Sequence, residues 1–527
     1  MATTEFGIVY AVHIITDHFG SAVSKVCECL LRRGPLSLQD ISRLTDIPRL
    51  GESDISHNQV KVKDILHLLI QHNCVQAFSV EPPDGSESKA TVQYIVLFNN
   101  ILHRERYSKF SSVVKEELGT QCLKVLGGLL SYGRLTLGQL IQEDADSQKP
   151  IGPEAITASL QKLVAARFVE RIPSPEPVLG NKEGPASKKK GAKAAKILKE
   201  AGSLEERVVE AATPVEAISF PLVFDQGPDS SLADNHSNIS AGKRKQRDVE
   251  SSDQSDEVIW RPNFEELIRR LRHKACVEIV KERRDEACAT VVRAMIEVGR
   301  SQETKVKTDK SVPVSMGSIY GEVIKTKAGR TMLQERVEEC LEQLSATSSY
   351  LPAFVIETAD SYIVDYKAIL SVAQKDEMES VVMRRYGKEA FRLFRYLSQE
   401  GRFVETDKIA DAALTEKKDT PQILLKMWKD SYLQMQKLAV TGVYMPFQLW
   451  KVNKLIVSRQ MLDEMYHASL NLCLRLKHEE DSENELLWLP NLEGAFEKRG
   501  IHLLAKKELL LAATFKLDDA IMLFLDF

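Results

Sequence analysis

The chain has 527 residues, 43% of them apolar, enough for several ordinary cores and, by length, about three to four domains. A net charge of −4 and a pI near 6.3 exclude a bulk nucleic-acid coat, so any DNA contact has to come from local basic patches. Eight cysteines without a CxxC pair, and eleven histidines without a ligand-spaced pair, point away from structural zinc and toward reduced, buried thiols.

From the N-terminus, "MATTEFGIVY" lacks the basic n-region of a secretion signal, and no apolar run reaches the ~18 residues of a membrane span. "HFGSAVSKVCECLLRR" puts Val23, Val26, Cys27, Leu30 and Leu31 on one helical face, and Gly34 and Pro35 end that helix. A short extended "LSL" follows. Ser37 is placed to cap "LQDISRLTDI", with Asp40 at N3. "NQVKVKDILHLLIQHN" reads as a third helix with Val60, Ile65, Leu68 and Leu69 as its buried stripe. "CVQAFSV" and "TVQYIVLF" alternate like two strands joined by a polar turn. Helix, short strand, helix, helix and β-hairpin is the order of a winged helix.

The phrase Gly-x-Leu-Ser/Thr-Leu-x-x-Ile/Leu at Gly34 returns at Gly133. Around the second copy the same order recurs: helix "CLKVLGGLLSYG", strand "LTL", helix "TLGQLIQED", helix "GPEAITASLQKLVAARF" with Pro153 in its first turn, and strand "FVERI". Two weaker copies follow. One runs from "ACATVVRAMIEVGR" through "VPVSMGSIYGEVIK" and "MLQERVEECLEQLS" to the wing "AFVIE" and "SYIVDY". The other is "FRLFRYLSQEGRFVETDKIADAAL" with "PQILLKMWKDSYLQMQKLAV", where Gly401, Phe403 and Ile409 stand in for the phrase.

The predicted fold is therefore mainly α with small β wings, four tandem winged-helix modules and a C-terminal helical (coiled-coil) hairpin. The expected boundaries are 6–100 and 105–225 for the first two modules, the second with a lysine-rich insertion at about 176–212. A charged linker spans 226–257, the last two modules 258–370 and 371–450, and the hairpin 451–527. By composition, "NKEGPASKKKGAKAAKILK", with Lys188, Lys189 and Lys190, and the Ser/Asp-rich linker read as disordered. "AISFPLVF" between them is a candidate second wing strand for module two. The basic knot Lys243, Arg244, Lys245 and Arg247 suits nuclear import. In the hairpin, Leu455, Leu462, Met465, Ser469, Leu472 and Leu476 form one apolar seam, and a polar break is expected at "DSENE". The closing "LDDAIMLFLDF" is very apolar for a chain end, so Ile521, Leu523 and Phe524 are expected to dock on the chain's own modules or on a partner.

No Walker loop, GxGxxG, HExxH or GxSxG occurs, so catalytic, cofactor and metal residues are all predicted to be none, and function is expected from surfaces. A winged helix can place its third helix in the major groove. The exposed face there offers Gln59, Lys61 and Lys63 in module one, and Thr157, Gln161, Lys162 and Arg167 in module two. These are sparse for a sequence reader. Weak, non-specific contact with promoter or single-stranded DNA is expected instead, from Lys61, Lys63, Arg104, Arg106, Lys162, Arg167 and the lysine-rich run.

These features together resemble a family: the largest member of the heterotrimer specific to eukaryotic RNA polymerase III, a subunit of four winged helices and a coiled-coil hairpin. The resemblance rests on "DHFGSAVSKVCECLLRRGPLSL" and "LLIQHNCV", on the segment with Trp260, Asn263 and Phe264, and on "WKVNKL" and "LDDAIMLFLDF". It implies a nuclear, non-catalytic subunit that sits on the clamp of the largest subunit and holds two smaller heterotrimer members. It also implies support for promoter opening at transfer RNA, 5S ribosomal RNA and other small RNA genes. Trp260, Asn263, Phe264, Leu455, Leu462, Ile521, Leu523 and Phe524 are then candidate partner contacts. The chain is also similar to the winged-helix factor E of the polymerase II system. Alternatives from the residues alone are a free-standing winged-helix factor that binds promoter DNA, or a scaffold of another assembly such as the proteasome lid.

Overall fold

The computed structural model describes residues 4–45, 55–80, 91–147, 150–172, 178–179, 204–212, 258–300, 302–303, 308–348, 351–358, 360–438, 447–487 and 493–527. The chain divides into two compact units, one of residues 33–267 and one of residues 1–32 with 268–527. Among the described residues, no helix is long and apolar enough to cross a membrane.

The unit of residues 33–267 begins within the first module. Helix α1 (Glu5–Phe19) and nearly all of α2 (Ser21–Arg33) precede it in the chain. The expected face of α2 is buried at Val23, Val26, Cys27 and Leu30. The "LSL" strand is realised as one bridge, Leu36 to Tyr94, with backbone hydrogen bonds of 3.3 and 3.0 Å. Ser37 caps α3 (Leu38–Leu44): its Oγ accepts from the Asp40 amide at 3.3 Å and donates to the Asp40 carboxylate at 2.7 Å. Helix α4 (Ile55–Gln71) leads to the antiparallel hairpin β1 (Val75–Val80) and β2 (Thr91–Val96). The buried stripe of α4 is Val62, Leu66 and Leu69; Val60, expected inside, is 54% exposed. The helix is turned so that the 62/66/69 spacing of four and three faces the core, a spacing as good as the one predicted.

After α5 (Phe98–Leu102) and α6 (Tyr107–Leu118), the second module follows its predicted order. It comprises α7 (Thr120–Tyr132), β3 (Leu135–Thr136), α8 (Leu137–Asp146), α9 (Pro153–Ala165) and β4 (Val169–Arg171). Thr136 and Gln139 close a full capping box on α8. The module's sheet is completed elsewhere than expected. Its central strand is β6 (Ile259–Pro262), hydrogen-bonded between β3 and β4. Module two therefore extends across the charged linker to Pro262 and the third module starts later than 258; "AISFPLVF" lies outside the described residues. Parts of the lysine-rich insertion are also ordered: β5 (Val178–Leu179) pairs parallel with β1, and Val208 of α10 (Leu204–Ala211) packs on Phe78 and Ile95.

The long helix α11 (Phe264–Arg283) begins in the last residues of that unit and, from Ile268 in the other unit, leads into module three. This has α12 (Glu286–Arg300), α13 (Met316–Lys325), α14 (Gln334–Ser345) and the wing β7 (Val355–Thr358) and β8 (Ser361–Val364). Its first strand is two bridges, Lys310 to Asp365 and Val314 to Tyr362. Its core includes Val291, Ile319, Val337, Leu341, Leu344 and Phe354. Helix α15 (Tyr366–Tyr386) connects to module four: α16 (Lys388–Glu400), β9 (Val404–Glu405), α17 (Thr406–Ala413), α18 (Thr420–Lys429), β10 (Gln434–Leu438) and β11 (Phe447–Lys451), in sheet order β10-β11-β9. The hairpin is α19 (Lys454–Leu487) and α20 (Glu493–Leu525), each about 50 Å long at ~1.5 Å per residue. Helix α19 runs through "DSENE", so the break expected there is not present.

Candidate nucleic-acid and partner interfaces

The two third helices offer less basic surface than expected. On α4 Lys63 is exposed and Lys61 half-buried; on α9 Lys162 is exposed. Arg167 sits just after α9 with φ +67°, half-buried, where the chain turns through the left-handed region into β4. Arg104 and Arg106 are corrected outright. Arg106 is 0% exposed, its guanidinium 3.2 Å from Nδ1 of His103, and buried Arg104 lies 5.5 Å from the Tyr107 ring centroid. Neither can reach a phosphate. Lys188, Lys189, Lys190 and the import knot Lys243, Arg244, Lys245 and Arg247 lie outside the described residues.

The repeated phrase of module two does a packing job. Gly133, at φ +84°, lies so close to the end of α4 that a Cβ there would come within 2.0 Å of the Gln71 carbonyl oxygen. The Arg134 amide donates to that oxygen at 2.9 Å, and Arg134 Nε donates to Asn73 Oδ1 at 2.9 Å. Burial, with Arg261 nearby, pushes the Arg134 guanidinium down to about 10. The end of module one's third helix is thereby locked to module two. Gly34, the equivalent glycine of module one, has the same φ and open space around it.

The Trp260 segment serves the chain's own packing: Asn263 and Phe264 are buried, while Trp260 is half-buried and still partly open. Trp260 stands opposite Leu135 and Arg171 in the module-two sheet. The Asn263 amide donates to Phe168 O at 2.9 Å, and its Oδ1 accepts from the Glu266 amide at 3.3 Å, capping α11. Phe264 is buried in an aromatic cluster, with ring centroids 5.4 Å from His103, 6.0 Å from Phe110 and 6.3 Å from Tyr107. Arg261 holds Glu170 at 2.7 Å; burial raises the Glu170 carboxyl and the arginine opposes that rise.

In the hairpin, Leu462 is buried and Leu455 is 79% exposed. The closing helix docks on the chain itself: Ile521 and Phe524 are buried, the Leu523 carbonyl accepts from Gln374 Nε2 at 2.8 Å, and the Leu523 and Phe527 side chains pack on the module-three core. Of the hairpin candidates Leu455 is the one that is exposed, and Leu523 is half-buried. Helix α1, not singled out in the sequence, lies along α19. Phe6 stacks on His467 at 4.2 Å, the Phe6 amide donates to Asp463 at 3.0 Å, and Asp17 pairs with Lys477 at 2.7 Å. Its signal was Phe6, Tyr10 and Ile14 at helical spacing.

Among the described residues, one cluster has ligand-type atoms in common reach: Asp285, Cys288 and Cys340, within 4.8 Å of one another. Asp285 is already committed. It caps α12 by accepting from the Cys288 amide at 2.6 Å and pairs with Arg336 at 3.0 Å. A guanidinium that close opposes a dication, so the group serves as a helix cap beside two core thiols.

Comparison with known proteins agrees with this architecture. A family model described as "RNA polymerase III subunit RPC82" matches residues 158–373, its "helix-turn-helix domain" matches 9–80, and "POLR3C, C-terminal winged-helix domain" matches 378–452. The chain is 23% identical over 508 residues to DNA-directed RNA polymerase III subunit RPC3 of Homo sapiens, covering 90% of this chain and 84% of that one. It is 23% identical over 496 residues to the RPC3 of Danio rerio, with the same coverage. For the rpc3 of Dictyostelium discoideum the identity is 20% over 632 residues, covering 90% and 92%. The free-standing promoter-binding factor falls away as a reading, and the chain belongs to the RPC82/RPC3 family, the subunits of RNA polymerase III.

Proposed function

We propose that this subunit is a non-catalytic, nuclear scaffold. It seats two smaller subunits on the clamp of the largest one and supports promoter opening at small RNA genes. The observation that carries this is the use of the third helix of module one: its end is locked to Gly133 and Arg134 of module two. The arginines that would have made a basic face, Arg104 and Arg106, are buried. A module that spends its helix end on its neighbour is built for stacking. Among the described candidates, exposed Lys63 and Lys162 with half-buried Lys61 and Arg167 suffice for weak, salt-sensitive phosphate contact and no sequence reading.

The test is affinity purification of the tagged full chain from nuclear extract, followed by permanganate footprinting of a transfer RNA promoter. Two smaller subunits in stoichiometric yield, and an open promoter that depends on the chain, are expected. Purified enzyme that lacks those subunits, or opens the promoter equally well when depleted of this chain, sinks the reading.

A further inference from the structure

Module four presents a surface that the rest of the described chain does not use. Strand β10 forms one edge of its sheet, and among the described residues it pairs with β11 alone. In an antiparallel edge strand, alternate backbone N–H and C=O groups point outward and are open to another strand. At the start of this strand an open groove of about 460 Å³ is lined by Gln434, Met435 and Gln436 of β10, by Trp428 and Ile456, and by Phe403, which precedes β9 at the other edge of the sheet. Trp428 and Phe403 are each 39% exposed, and neighbouring Leu438, Phe447 and Leu455 are exposed too. A free strand edge with an apolar, Trp-lined groove at its start suits strand addition: main-chain hydrogen bonds for affinity, pockets for side chains.

The charge around the groove narrows the occupant. None of the lining residues is charged. Lys451 Nζ stands 5.8 Å from the Phe403 ring centroid, and Lys429 and Lys437 are exposed beside Trp428 and on β10. Residues 388–451 hold eleven Lys and Arg against eight Asp and Glu, in a chain whose net charge is −4.

We propose that the edge of β10 takes up an extended segment of another RNA polymerase III subunit, apolar at alternate positions and acidic at its flanks. The segment adds a strand beside β10, places an apolar side chain on the Trp428 side of the groove where β10 begins, and sets its acidic flank against the lysines. The inference rests on the scaffold reading for the source of its partner.

The experiment uses the assembled enzyme, purified through a tag on this chain, and the isolated full chain. Amide hydrogen exchange of residues 434–438 is compared between the two, and a benzophenone side chain at Gln436 maps the neighbour. At least tenfold slower exchange in the enzyme is expected, with cross-links to one extended, acid-flanked subunit segment. The variant Trp428→Glu, at an exposed position, should still assemble and lose at least fivefold in cross-link yield. Unchanged exchange at β10, cross-links to nucleic acid or to a helix, or full yield from Trp428→Glu would each overturn the inference. Enzyme that retains the two smaller subunits yet shows free β10 amides counts against strand addition alone. Enzyme that lacks them counts against the scaffold reading.

Discussion

Modules three and four have the same element order and opposite surfaces. Module three is sealed by its own chain: Leu523 and Phe527 of the closing helix lie on its core, and Gln374 holds the Leu523 carbonyl at 2.8 Å. Module four has an equally sound interior, with Leu393, Phe394, Leu397, Ile409, Leu424 and Trp450 buried. It nevertheless leaves Phe403, Trp428, Leu438 and Phe447 open. Exposed apolar side chains therefore do not mark a poorly formed module here. One copy of the fold spends its outer face inside the chain, and the other keeps it for a partner.

The largest effect should come from the sealed copy. Phe354→Ala removes a fully buried ring from the module-three core and should cost about 3–5 kcal/mol, read as a lowered denaturation midpoint of the unit that holds modules three and four. Leu523→Asp places a carboxylate against the same core and should cost about 1–3 kcal/mol, with lower solubility or assembly. If Leu523→Asp leaves midpoint, solubility and assembly unchanged, the seal is not structural and the contrast between the modules dissolves.

How much of this contrast could be read beforehand follows from what local pattern encodes. Helical spacing, caps such as Ser37 and Thr136, and the repeated phrase at Gly34 and Gly133 are local, and they located four modules and their order. Non-local pairing was illegible. Nothing in "FVERI" tells that its strand partner Ile259–Pro262 waits beyond the charged linker, because strand partners share no local period. The same holds for α1 along α19 and for Val208 on Phe78. Arg104 and Arg106 were misplaced for a different reason. Arginine is a surface residue by default, and only the neighbours His103 and Tyr107 turn this pair inward. The module-four groove was missed because Phe403 and Trp428 fit a buried pattern as readily as an exposed one.

A third test sharpens the contrast through pH. His273 of α11 is buried and stacked on Tyr366 at 4.9 Å, and neither ring nitrogen has a hydrogen-bond partner among the described residues. Burial, with Arg269, Arg272, Arg300 and Arg270 around it, holds its pKa well below 6.5. Tyr366, stacked on the ring, donates its hydroxyl to Glu303 at 3.3 Å, and Glu303 pairs in turn with Arg269. The ring stays neutral in the folded chain while the unfolded chain takes up a proton below its ordinary pKa. Stability is therefore full above pH 6.5 and falls as the pH drops, by up to about 1.4 kcal/mol per unit from this group. Urea midpoints at pH 7.5 and 5.5 should show this fall in the wild type and a shallower one in His273→Gln. Equal slopes would place the acid sensitivity elsewhere.

The smallest expected effect is the most telling one, because two tryptophans of one module separate interior from interface. Trp450 is fully buried, and its Nε1 donates to Thr406 Oγ1 at 2.9 Å. Trp450→Phe breaks that bond, leaves the Thr406 hydroxyl short of a donor and opens a small void, for a loss of about 1–3 kcal/mol. Trp428 lines the open groove beside β10, so Trp428→Ala should shift stability by no more than about 0.5 kcal/mol. Thermal melts of the two variants decide the matter. A large loss on Trp428→Ala would mean that the ring stabilises module four itself, and the groove would then be a flaw in packing. A melt that matches wild type means a large aromatic side chain is held at the surface without helping the fold. That outcome leaves recognition as its use.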